Sequence, residues 1–213
     1  MDQDAYRLYL PDRRDTAVVF SSPHSGQDYP HAFLDASLLD AHTIRSSEDA
    51  FVDRLFAHAP QVGAPLIAAR APRAYIDLNR EPWELDPAMF EDELPDFARA
   101  RTARVAAGLG TIARVAGGKE SYRRKLTFAE ARARIETVHQ PYHDALTRLL
   151  SQARAAHGVA LLVDEHEHLL EPFQFGHGTT ALLVREIERA PQVAHRRAQR
   201  VALGDEAETT AQC

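Results

Sequence analysis

The chain has 213 residues, 45% of them hydrophobic and 26% charged, and its 25 Lys and Arg against 31 Asp and Glu give a formal charge of −6. That is the composition of a globular chain able to bury a core, and the acidic balance excludes a general binder of nucleic acid or acidic membrane, which needs a basic excess. Cys213 is the one cysteine, which excludes an intrachain disulfide framework and a cysteine-based zinc site.

The start, Met1-Asp2-Gln3-Asp4, lacks the basic-then-apolar layout of a signal peptide, so a cytoplasmic protein is the expectation. Residues 17–20 (AVVF) read as a first buried strand. Residues 48–59 place Phe51, Val52, Leu55 and Phe56 on one helical stripe. A second apolar run covers residues 66–69 and continues at 75–78, again as strand. Residues 80–99, rich in Pro and acids, read as an irregular surface excursion. Gly108-Leu109-Gly110 and Gly117-Gly118 bracket a short strand or hairpin around residues 111–115. Residues 127–157 form a long amphipathic helix that opens with a capping box, Thr127 and Glu130, and is kinked or split at Pro141. Residues 159–163 (VALLV) are a third buried strand, far too short to span a bilayer. Strands separated by helices predict an α/β fold with a mixed, mostly parallel sheet flanked by helices. Residues 1–203 form a single domain in this reading, and residues 204–213 a frayed tail.

Each strand candidate runs into chemically capable residues. The first leads to Ser21-Ser22-Pro23-His24-Ser25-Gly26, the second contains Asp77 and leads to Asn79-Arg80, and the third leads to Asp164-Glu165-His166-Glu167-His168. Ligands of open α/β sheets bind just beyond the carboxyl ends of strands, so these clusters should meet in one crevice. The chain also has 11 His, and imidazole is the commonest metal ligand. Asp164 and His166 share a side of an extended segment, a spacing that suits a metal-bound imidazole with an orienting carboxylate; His166 and His168 could equally be a ligand pair. Glu48, Asp49 and Asp53 supply acids at the start of a helix, where the helix dipole alone also favours them. Two His nitrogens and one carboxylate, with a fourth position left to water, is a catalytic zinc pattern. Arg80, beside Asn79, offers the donor fork that holds an anionic substrate group. Ser25, next to His24, joins them as a candidate substrate contact. A serine elbow, a Walker A loop, a G-x-G-x-x-G loop and an HExxH helix are all absent from the sequence.

Taken together, Pro23-His24-Ser25-Gly26 with Tyr29-Pro30, Ser47-Glu48-Asp49-Ala50-Phe51-Val52-Asp53, Asp77-Leu78-Asn79-Arg80 with Glu84-Leu85-Asp86-Pro87, Gly108-Leu109-Gly110, and Arg134-Ile135 followed by Pro141-Tyr142-His143 resemble the N-formylglutamate amidohydrolases. The resemblance implies a zinc-dependent hydrolase related in fold to the carboxypeptidase-like zinc enzymes. It implies hydrolysis of N-formyl-L-glutamate to formate and L-glutamate, late in one route of histidine degradation. By the same resemblance His24, Glu48 or Asp49, and His166 would bind one Zn2+, and Asn79 and Arg80 would grip the carboxylate of a small anionic N-acyl amino acid.

From residue 165 the pattern departs. The family reads Asp-Cys-His-Ser followed by Met-Pro where this chain has Asp164-Glu165-His166-Glu167-His168-Leu169. The family's closing Gln-(apolar)-Glu-Ile element, source of its general base, does not occur in the 213 residues. The base is therefore expected from Glu165 or Glu167, with Glu171 also in reach of the cluster. The competing expectation is a relative of impaired or absent catalysis that retains an anion-binding pocket.

Overall fold

The structure, a computed structural model, describes residues 5–167 and 180–186, with residues 165–167 and 180–186 as backbone only. In chain order the elements are β1 (Tyr6–Tyr9), β2 (Val18–Ser22), α1 (His31–Ala36), α2 (Val52–Leu55), β3 (Leu66–Ala69), α3 (Ala103–Ala106), β4 (Val115–Ala116), β5 (Lys119–Glu120), α4 (Phe128–Arg134), α5 (Gln140–His157), β6 (Leu161–Glu167) and β7 (Thr180–Glu186). Five strands form one sheet in the order β1-β3-β2-β6-β7. The central three run parallel, and β1 and β7 flank them antiparallel. Alternation along β2 sends Val19 to one face, where it packs with Ile67, Leu162 and the Tyr142, Leu146 and Leu149 stripe of α5. Val18 and Phe20 go to the other face, against Ala59, Ala64, Leu66 and Phe56. The sheet is thus covered on both sides, which is why its strands read as continuous apolar runs.

The helical arm follows the sequence closely. Thr127 accepts from the Glu130 N–H while the Glu130 carboxylate takes the Thr127 N–H, completing the capping box. Pro141 is accommodated by a π-turn, Ile135–His139, immediately before α5, and Gly158 ends α5 in the left-handed conformation. The 111–115 hairpin exists but is displaced: β4 and β5 turn at Gly117 and Gly118, which both have positive φ.

Three expectations are corrected. Residues 75–78 are a turn, not a strand, because Tyr75 and Ile76 donate back to the carbonyl of Pro72 and Asp77 donates to Thr111. The helix expected over 48–59 is reduced to α2, since Phe51 sits at φ 67 and stops it from starting earlier. Residues 80–99 are no surface excursion: Leu85, Met89 and Phe90 are buried with Ile112, Leu126 and Ala131 in a second core. The third strand also runs further than expected. β6 continues through Asp164 to Glu167 because β7 pairs with it along its whole length, so the acidic and histidine cluster begins inside the strand. The proposed boundary at residues 203–204 lies outside the described residues. No helix among the described residues is long and apolar enough to cross a membrane.

Candidate functional site

β2 ends at Ser22, and the chain turns through Pro23-His24-Ser25-Gly26. A Cβ at Gly26 would stand 2.1 Å from the Ala71 carbonyl oxygen, so only glycine lets this turn close on the backbone just beyond β3. Asp28 N–H donates to the Arg70 carbonyl at 2.9 Å and holds the same contact. The result is a His24 ring only 1% exposed. Its Nδ1 lies 3.2 Å from Asp49 Oδ2, and its Nε2 lies 2.8 Å from Asp77 Oδ1. Asp49 also donates its backbone N–H to the His24 carbonyl at 3.0 Å, so the two residues are tied through both main chain and side chain.

Asp77 comes from the turn after β3. Its N–H donates to the Thr111 carbonyl at 2.8 Å, and its Oδ1 accepts the Asn79 N–H at 2.9 Å as well as facing His24. Arg73 Nε donates to Asp77 Oδ2 at 3.1 Å, and Arg80 Nε stands 3.7 Å from the same oxygen. Burial pushes the Asp77 carboxyl up, but the attraction and hydrogen bond of His24, joined by Arg73 and Arg80, outweigh it and hold the group well below the usual carboxylate range. Asp77 is thus a permanent anion behind the imidazole.

The structure separates the two acids that the sequence left open. Asp49 faces His24, whereas Glu48 accepts from Tyr29 Oη at 2.5 Å and pairs with Arg45 at 2.9 Å. Burial, then Glu48, raises the Tyr29 phenol above its ordinary value, so Tyr29 stays a donor. Ser25 is 3% exposed and its hydroxyl is taken up by Ser22 within the turn. Arg80 lies inward: its side chain is 9% exposed, and its donors go to the carbonyls of Asn79 and Leu109. Burial lowers its guanidinium pKa, against the opposing pull of Asp77. Asp164 accepts from Ser21 Oγ at 3.0 Å, and Ser21 is in turn 3.0 Å from Tyr142 Oη. The backbone of Glu165, His166 and Glu167 pairs with Leu182, Ala181 and Thr180 of β7. The side chains of these three, and all of His168 and Glu171, lie outside the described residues.

Sequence reasoning missed two groups. Asp77 is a carboxylate held against His24 Nε2, a role the sequence reading did not assign to it; the signal was available in Asp77-Leu78-Asn79-Arg80 at the end of an apolar run. Arg73 is the more open guanidinium, 32% exposed, and lines a cavity of about 340 Å³ with Ser46, Ser47, Asp77 and residues from the 109–117 segment. Ser47 Oγ is buried there with no hydrogen-bond partner among the described residues. Among the described residues no three His, Cys, Asp or Glu side chains are grouped to hold a metal ion. His24 and Asp49 are the two members of the expected ligand set that the structure brings together.

A mixed sheet whose strand-end turns converge on one buried imidazole defines an α/β protein of hydrolase-like architecture. The sequence model of the N-formylglutamate amidohydrolases matches residues 16–212, and the chain belongs to that family. It is 30% identical over 151 residues to an N-formylglutamate deformylase of Pseudomonas putida, covering 70% of this chain and 51% of the relative. The same figures, 30% over 151 residues, hold for an N-formylglutamate deformylase of Pseudomonas aeruginosa. The chain therefore spans about half the length of the curated relatives it matches. The crystal structure of an N-formylglutamate amidohydrolase from Ralstonia eutropha JMP134 superposes with a TM-score of 0.72 at 36% identity, covering 78% of this chain and 58% of that one.

Proposed function

We propose that this chain hydrolyses the amide of a small anionic N-acyl amino acid, N-formyl-L-glutamate foremost, to formate and L-glutamate, with one zinc ion. The observation that carries the reading is His24 fixed between two aspartates in a chain whose relatives are named N-formylglutamate deformylase. The two described donors of the set suit a shared ion, with His24 Nδ1 and Asp49 Oδ2 standing 3.2 Å apart. Asp77 occupies Nε2 and so orients the ring, leaving Nδ1 turned toward the carboxylate of Asp49; an imidazole backed by a carboxylate is the usual support of a zinc ligand. His24, Asp49 and His166 would hold the ion. When bound, zinc lowers the pKa of a coordinated water to about 7 and polarises a carbonyl.

The remaining work falls to the chain's own side chains. Arg73, with the cavity in front of it, takes a substrate carboxylate, while Arg80 stays behind Asp77 and fixes the turn. Asn79 supplies a second polar contact beside it. Glu165 or Glu167 would take the proton of the attacking water as its oxygen adds to the formyl carbon, and would then return that proton to the amide nitrogen, so that the C–N bond breaks as the carbonyl re-forms and formate and the free amine leave. Glu48 braces the segment next to Asp49 through Tyr29 and Arg45.

The test is metal analysis of the purified chain together with formate release from N-formyl-L-glutamate. One zinc per chain and stoichiometric formate are expected, with both lost in His24→Ala. Unchanged metal content in His24→Ala would reject the ligand assignment. Binding of the dianion without formate release would identify a non-catalytic relative that keeps the anion pocket.

A further inference from the structure

The turn that carries Asp77, Asn79 and Arg80 has no helix or strand of its own. Yet a site of this kind needs its groups held to within about 0.5 Å. Two imidazoles outside the expected site supply that support. His139 closes the π-turn and His143 follows one turn later in α5. Their rings stack with centroids 4.3 Å apart and a tilt of 31°. His139 Nε2 lies 2.9 Å from the Arg80 carbonyl oxygen, and His143 Nε2 lies 2.8 Å from the Leu78 carbonyl oxygen. A carbonyl can only accept, so each Nε2 carries the proton and donates. The two carbonyls flank Asn79, and the Asn79 N–H in turn donates to the Asp77 oxygen that faces His24.

We propose that His139 and His143 are positioning residues, a stacked pair of donors that clamps the 78–80 turn at both ends and, through Asn79, fixes the aspartate that orients His24. The pair is not a metal site of its own, because the two Nε2 atoms are committed to separate carbonyls rather than turned toward a shared point. It is not simple core filling either: an apolar pair of equal volume would leave two buried carbonyls without donors. Burial, and then the neighbouring ring of His143, lowers the His139 pKa to about 4. Burial lowers that of His143 in the same direction. Both therefore remain neutral donors near pH 7, with one fixed tautomer. A π-turn adds one residue to a helical turn and recurs at functional sites; this one ends on His139.

The catalytic consequence rests on the proposed amide hydrolysis, whereas the clamp does not. In the full chain, His139→Leu and His143→Leu remove a donor, while His139→Gln and His143→Gln keep an N–H at the same reach. Amide hydrogen exchange at Asn79 should accelerate at least tenfold in each Leu variant and return close to the wild-type rate in each Gln variant. KM for N-formyl-L-glutamate should follow the same order, with the rise in KM exceeding the fall in kcat. Exchange at Asn79 that changes only in step with the whole core, or equally in Leu and Gln variants, would overturn the proposal. Should the Leu variants fail to fold, the wild-type chain decides: long-range 1H–15N spectra must show the Nε2–H tautomer for both rings near pH 7, and an Nδ1–H tautomer or imidazolium in either ring overturns the clamp. A wild-type chain that neither binds nor hydrolyses the dianion, yet protects Asn79 and shows both tautomers, supports the clamp and counts against the hydrolase reading alone.

Discussion

An imidazole with a carboxylate at each ring nitrogen has one orientation. In His24 the contacts are unequal, 2.8 Å to Asp77 and 3.2 Å to Asp49. The shorter one is backed by Arg73 and Arg80, whereas Asp49 is tied to the His24 main chain. In the proposed site Asp77 would accordingly be the orienting group and Asp49 the co-ligand. Asp77→Asn keeps an oxygen for His24 but removes the charge that supports the ring and holds Arg73 and Arg80 in place. Zinc affinity should fall 10- to 100-fold, with the far-ultraviolet circular dichroism of the wild type preserved, as metal titration of the two proteins would measure. Equal affinities would mean that Asp77 serves only the turn. The sequence made His24 visible through its place at a strand end. It could not rank Glu48 against Asp49, because adjacent acids differ only in which way the backbone turns them. That choice was made by Phe51 at positive φ and by Tyr29 and Arg45 capturing Glu48.

At the scale of elements, the helical arm was the most readable part because its signals are local. The Thr127 and Glu130 cap, the apolar stripe of α5 and the disruption at Pro141 are all set within a few residues. Segments shaped by distant partners were misread. Residues 75–78 have strand composition, but the Asp77 N–H is drawn to the carbonyl of Thr111 rather than to a neighbouring strand. β6 continues past Val163 only because β7 lies beside it. The arm's contribution to the site should show in the pH dependence of stability. His139 has a folded pKa of about 4 against an ordinary 6.5, so as pH falls the unfolded chain takes up this proton first. Its share of stability is complete above 6.5, drains away between 6.5 and about 4, and changes no further below. The slope from this one group approaches at most ~1.4 kcal/mol per pH unit. His143 adds in the same direction. Urea unfolding from about pH 7 to about pH 4 should therefore give a flatter curve for His139→Gln than for wild type. Carboxylates titrate alike in both proteins and drop out of the comparison, so parallel curves would show that His139 is not held neutral by burial.

For the whole molecule, the sheet is a device for bringing remote segments to one edge. Ser21 and Asp164 are 143 positions apart in sequence yet are register partners on β2 and β6 and share a hydrogen bond. His24 lies in the turn just past the end of β2, and the His166 backbone lies on β6 just beyond Asp164. The adjacency of the ends of β2 and β6 was legible in the sequence, since parallel strands place their carboxyl ends together whatever lies between them. A zinc ion held by His24, Asp49 and His166 would bind the folded sheet far better than the unfolded chain, where the three ligands are separated by long loops. Binding to the native state alone adds about 2.7 kcal/mol when free ligand is 100 times Kd. For a chain of this size that corresponds to roughly 5–10 °C in Tm. Thermal unfolding of the wild type with zinc at that excess, compared with the chelator-treated protein, should show such a rise. His24→Ala should melt at the same temperature with and without zinc, because it has lost the donor contributed by β2's end while keeping the sheet. An equal rise in His24→Ala would place the ion elsewhere on the molecule, and no rise in the wild type would leave the strand edge without its metal.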